Sequence, residues 1–134
     1  MTQHAITPDT QRELVGFARQ LVRIRSLSGL EEEIQRFIER KMLALGYDEV
    51  VIDGMGNLLG RIGAGPKSIL FDSHVDTVDV TDAEQWDVAG PFGGEIVDGR
   101  LYGRGSVDMK SSVAATVYAG VLARAAGLTE GKTV

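Results

Sequence analysis

A histidine and an aspartate two residues apart, His74 and Asp76, stand just beyond the apolar run Ile69 to Phe71. If extended geometry persists through them, side chains two apart project to the same side. A carboxylate in that position accepts the imidazole's ring N–H, fixes its tautomer and aims the other nitrogen at a metal ion. On its own, His-x-Asp is also a common accident of loops. A second group changes its weight. The stretch Gly103-Arg104-Gly105-Ser106-Val107-Asp108-Met109-Lys110 sets a carboxylate immediately before a helical segment, behind two glycines that let the backbone turn sharply. Asp108 is thereby aimed at a ligand by a constrained turn. The plainer reading of the same residues is a helix start with a loop in front.

Three competing chemistries fail on residue type. A dinucleotide fingerprint needs a third glycine where Asp108 stands. Gly65-Pro66-Lys67-Ser68 fails as a phosphate loop, because Pro66 occupies the glycine position and the following residues read as strand. The acids Asp79, Asp82, Glu84 and Asp87 lack the alternation and the glycine of a calcium loop, so they describe a solvated loop around Trp86.

The elements that must position these groups follow from local pattern. The run Ile69 to Phe71, bounded by a Gly-Pro turn and by polar residues, reads as a strand buried on both faces. His74 then lies at its carboxyl end, the edge where open α/β sheets bind ligands. Thr7-Pro8-Asp9 supplies a capping hydroxyl, a first-turn proline and a first-turn acid. The helix it opens carries Leu14, Phe17, Ala18 and Leu21 at helical spacing and ends near Arg25. Ser28 to Glu31 fits a capping box for a second helix. Its stripe of Leu30, Ile34, Phe37, Ile38, Met42 and Leu45 is core packing, and Gly46 ends it. Residues 50–52 and 58–62 form one hairpin and Asp98-Gly99 turns another. A third helix covers 111–126, where Ala114, Ala115, Ala119 and Gly120 let it lie close to the sheet, and Gly131 to Val134 begins a further strand. Residues 1–6 form a loose tail, which removes His4 from the candidate site.

Bulk properties bound the rest. A chain of 134 residues is one domain at most. Its net charge of −5 argues against nucleic acid as a partner. There is no apolar run long enough to span a membrane, no signal peptide and no cysteine, so the cytoplasm is the default compartment and a membrane partner is not expected.

Ser73-His-Val-Asp-Thr-Val78 followed by Tyr102-Gly-Arg-Gly-Ser-Val-Asp-Met-Lys110 resembles the paired signature of the zinc metallopeptidase and amidohydrolase family of acetylornithine deacetylase, succinyl-diaminopimelate desuccinylase, carboxypeptidase G and aminoacylase. Arg25-Ser26-Leu27-Ser28-Gly29, Met55-Gly-Asn57 and Trp86 ahead of Pro91-Phe92 extend the likeness over nearly the whole chain. The resemblance implies an α/β fold, a zinc-exopeptidase-like catalytic domain with a mixed sheet flanked by helices. It implies cleavage of an N-acyl amino acid or small peptide by a water activated between two zinc ions, which cobalt or manganese could replace. Carried over by position, His74 ligates one ion, Asp108 bridges both, Asp76 is the catalytic partner that holds His74, and the peptide bond after Asp108 is cis. Two cations about 3.5–4 Å apart lower the pKa of a shared water and polarise the scissile carbonyl. Ser111-Ser112 departs from the family, whose members usually carry glycine there.

The family's Glu-Glu pair, further acidic ligand and distant histidine have no counterpart in these residues, and neither has its small dimerisation domain. Residues 1–134 are therefore expected to be the N-terminal part of the catalytic domain, an incomplete sheet with an open edge, inactive alone. The expected partners are a small acylated substrate and either a second copy or a complementary C-terminal chain. The alternative function is a non-catalytic binding or assembly module that docks such a chain.

Overall fold

The computed structural model describes residues 6–134, so His4 and most of the expected tail lie outside the described residues. Helix α1 spans Pro8–Arg23, with Thr7 as its cap: the Thr10 N–H donates to Thr7 Oγ1 at 3.1 Å, and Pro8 occupies the first turn. Phe17, Ala18, Leu21 and Val22 form its buried face. Helix α2 spans Glu32–Ala44 and helix α3 Ser111–Ala125. The core is made where the three helices meet: Phe17 stacks on Phe37 with centroids 5.6 Å apart and lies 6.2 Å from the Tyr118 ring. Leu21, Ile34, Ile38 and Ala114 close the same cluster. Burying each of the leucine and isoleucine side chains to this degree contributes roughly 1.5–3 kcal/mol relative to exposure.

Two expectations about α2 are corrected. The Ser28 to Glu31 pattern is not a capping box. Glu31 is itself the residue ahead of the helix, its side chain accepts the Gly29 N–H at 2.7 Å, and no side chain caps the first turn. The left-handed φ of +86° at Gly29 turns the chain so that the Ser28 hydroxyl faces elsewhere. Leu30, expected in the core stripe, precedes the helix and is 67% exposed.

Strand pairing is mixed, as expected, but the strands are short and fall into three pairs. Strand β1, Glu49–Ile52, runs antiparallel to β2, Leu58–Arg61. Strand β3, Lys67–Ser68, runs parallel to β6, Lys132–Thr133. Strands β4, Ile96–Val97, and β5, Arg100–Leu101, flank the Asp98-Gly99 turn antiparallel, with φ of +49° and +74° at the two turn residues. Ile62 and Val134 exchange backbone hydrogen bonds of 2.8 and 2.9 Å, which join the first two pairs edge to edge. Gly65 is required at this seam, since a Cβ there would lie 2.1 Å from the Gly131 carbonyl carbon.

The central apolar run departs from its sequence reading. Pairing ends after the Ile69 N–H donates to Thr133 O at 2.9 Å, and Ile69, Leu70 and Phe71 are 54%, 84% and 54% exposed. A strand is buried only by what packs over it, and no described element covers either face of this one. The small residues of α3 divide likewise. Ala114 and Gly120 are buried, whereas Ala115 and Ala119 face outward. Close approach is evident at Gly120, where a Cβ would meet Ile62 Cδ1 at 3.0 Å and Tyr47 Oη at 3.1 Å. The Tyr47 hydroxyl donates to Val117 O at 2.8 Å, and burial pushes its pKa up to about 12.

A buried cation ties the site-bearing turn to this core. Lys110 has no exposed surface, and its Nζ donates to Ile24 O at 2.6 Å just past the end of α1. Burial lowers its pKa to about 8. A base depressed on folding binds fewer protons in the folded state, so its unfavourable contribution is full below about 8 and is relieved as pH rises toward the unfolded value of about 10.4. The unfolding free energy of the unaltered chain, measured by chemical denaturation, is therefore expected to rise relative to Lys110→Met between these pH values, by ~3 kcal/mol at most. A pH-independent difference between the two proteins excludes a buried ammonium here.

Candidate metal-binding site

The site is assembled by clamping the segment after Phe71 beside the exit of α1. Leu27 and Thr77 form a parallel bridge in which the Thr77 N–H donates to Ser26 O at 2.7 Å. The fully buried Ser26 hydroxyl donates to Val75 O, also at 2.7 Å. These bonds keep 74–77 extended, so alternate side chains separate: Val75 and Thr77 are buried at 9% and 6% exposure, while His74 and Asp76 share the opposite face. Across from them, Gly103 and Gly105 adopt φ of +144° and +83°. Neither position accepts a side chain, since a Cβ would lie 2.2 Å from Val22 Cγ1 or 2.7 Å from Thr77 Cγ2. This close backbone packing delivers an irregular π-type turn, Ser106–Lys110, in which Asp108 leaves helical geometry and the Asp108–Met109 peptide bond is cis.

The structure brings His74, Asp76 and Asp108 together. His74 Nδ1 lies 3.2 Å from Asp76 Oδ1 and 3.1 Å from Asp76 O, and Nε2 lies 2.9 Å from Asp108 Oδ1. An imidazole with acceptors on both nitrogens is favoured as the cation, and the Asp108 carboxylate is the main cause that raises the His74 pKa, with Asp76 adding to it. The Ser28 hydroxyl donates to Asp76 Oδ2 at 2.5 Å and is the main cause that lowers the Asp76 pKa, ahead of the charge on His74. Ser28 was the site residue hidden from sequence reading, because Ser-x-x-Glu carries the same local signal whether serine caps a helix or reaches a carboxylate far along the chain. Beyond it, Arg25 pairs with Asp79 at 2.7 Å.

This donor set is chemically suited to a divalent metal: one imidazole nitrogen, one carboxylate, and a second carboxylate holding the imidazole's other nitrogen. It is short in number, since among the described residues no group of three or more His, Cys, Asp or Glu side chains converges. A catalytic zinc normally takes three protein ligands. Two open cavities flank the pair. One, of about 820 Å³, lies between the start of α2, the Met55–Asn57 turn and residues 72–76. The other, of about 350 Å³, is lined by His74, Asp108, Trp86 and Arg104.

Residues 70–134 match the model of peptidase family M20/M25/M40. The chain is 37% identical to the uncharacterized protein YgeY of Escherichia coli K12 over 126 residues, which cover 94% of this chain and 31% of that protein. It is 42% identical to a succinyl-diaminopimelate desuccinylase of Cereibacter sphaeroides over 111 residues, 80% of this chain and 29% of the relative. The crystal structure of human carnosine dipeptidase 1 superposes with a TM-score of 0.70 over 87% of this chain and 29% of that one, at 24% identity, which is a shared fold. The chain thus spans less than a third of the length of these relatives.

In the metal-free chain, His74 is expected to titrate above the ordinary histidine value of about 6.5. Its contribution to stability is then fully present below that value and disappears as pH rises through the raised one. By NMR, Asp108→Asn should move the titration down further than Asp76→Asn does. An equal or reversed order removes Asp108 as the dominant partner.

Proposed function

Because the chain belongs to peptidase family M20/M25/M40, we propose that His74 and Asp108 are metal ligands of a hydrolase that cleaves the amide bond of an N-acyl amino acid or small peptide. The observation that carries this is the 2.9 Å approach of His74 Nε2 to Asp108, with Nδ1 already engaged by Asp76. Two zinc ions are the proposed complement, with cobalt or manganese as substitutes, since such N/O sites can take any of the three and metal availability often decides. Bound there, divalent metal supplies an activated water and polarises the scissile carbonyl.

The chain's own residues do the positioning. Asp76 accepts from Nδ1 and fixes the ring, leaving Nε2 as the ligating atom. Ser28 holds the second oxygen of Asp76, so the carboxylate cannot rotate away from the imidazole. The turn 103–110 presents Asp108 at the cavity mouth, its side chain 83% exposed and able to face more than one cation. On this reading residues 1–134 are the N-terminal part of a catalytic domain working in the cytoplasm, and the further ligands and the general base come from a complementary stretch of polypeptide or a second subunit. The exposed Ile69 to Phe71 run favours a second reading, a module whose task is to dock such a complementary chain.

Calorimetric titration with zinc tests the assignment. The purified chain is expected to bind weakly, His74→Ala and Asp108→Ala to abolish the heat, and Asp76→Asn to weaken binding by roughly 10–100-fold. N-acetyl amino acids should not be turned over by this chain alone. Zinc binding indifferent to both ligand substitutions sinks the proposal, and turnover by the isolated chain contradicts the donor count.

A further inference from the structure

We infer that Arg104 is a substrate-recognition residue beside the His74–Asp108 pair, reading a free carboxylate on the molecule that enters the 350 Å³ cavity. The inference rests on the reading above only for what the cavity receives; its physical basis is separate. Arg104 stands between Gly103 and Gly105, and its backbone N–H donates to Pro91 O at 2.6 Å, which ties the base of its side chain to the neighbouring loop. The guanidinium lies 5.6 Å from the centroid of Trp86, the chain's one tryptophan, so an aromatic face orients it. Yet it forms none of the ion pairs among the described residues. Its Nε is buried with no hydrogen-bond partner.

A buried donor left unmatched carries a desolvation cost, and in folded proteins such donors find an acceptor. A guanidinium oriented on an aromatic ring, with no ion-pair partner and its terminal nitrogens free of hydrogen bonds among the described residues, has the fork geometry that suits a carboxylate. Arg104 is also the one lysine or arginine among that cavity's lining residues. The acids lining the same cavity, Asp76 and Asp108, are both turned to His74. An acylated amino acid or peptide with a free carboxyl end satisfies Arg104; the corresponding amide does not.

The experiment is a titration of the metal-free chain, so its result does not depend on metal ligation. The probes are N-acetylglycine and N-acetylglycinamide, and the readouts are Trp86 fluorescence and the NMR signal of the Arg104 Nε–H, assigned by its absence in Arg104→Lys. The carboxylate is expected to give a saturable millimolar response in both, with the Nε–H moving downfield, and the amide none. Arg104→Lys, which keeps the charge and loses the fork, should weaken binding at least fivefold, and Arg104→Gln should abolish it with the far-ultraviolet spectrum unchanged. A carboxylate response equal to that of the amide, a response retained in Arg104→Gln, or an Nε–H signal that never moves overturns the inference. Loss of zinc binding with this response intact would instead remove the metal assignment and leave Arg104 standing.

Discussion

The buried bonds between Ser26 and residues 75–77 are the constraint on which the rest of the site depends. Where Val75 packs among the buried side chains, two short hydrogen bonds, Ser26 Oγ to Val75 O and the Thr77 N–H to Ser26 O, hold the segment after Phe71 against the core. They replace the sheet neighbours that this stretch otherwise lacks. Because they lie in a dry environment, each is strong and each leaves an orphaned polar group if lost. From that clamp the alternation of His74, Val75, Asp76 and Thr77 follows, and Ser28 comes within reach of Asp76.

A second layer of organisation comes from backbone crowding. The glycines on either side of Arg104 let the turn settle directly on Val22 and Thr77, and Lys110 anchors its far end to Ile24. Asp108 owes its placement to these neighbours and to none of its own contacts except that with His74. The arrangement joins an exposed, polar reactive surface to a rigid apolar support, which is the division of labour expected where orientation matters more than local stability.

Much of this was legible in the sequence because it was local. Thr7-Pro8-Asp9 announced α1, Asp98-Gly99 announced the β4–β5 hairpin, and the glycines around Arg104 announced a sharp turn before α3. The period of two that sets His74 and Asp76 on one face needed only extended backbone. What escaped depended on partners distant in the chain. The burial expected for Ile69 to Phe71 required elements on both faces, and a hydrophobic run carries no information about whether those elements are present. Ser28 matched a helix-start pattern in its own neighbourhood while its acceptor lay 48 positions away. The pairing of Trp86 with Arg104 links two loops with no shared period.

The imidazole suspended between two carboxylates is placed to keep a proton that any metal at the proposed site would have to displace. Its outer nitrogen holds a proton against Asp108 by the same lone pair that a metal would need, so occupancy by one would expel the other. Where the imidazole is protonated, uptake of an ion there would release about one proton, and below the imidazole's titration point apparent affinity would fall about tenfold for each pH unit. Hydrogen ion would therefore be the first competitor of a metal at this position, and a mildly acidic medium would act there as a chelator does.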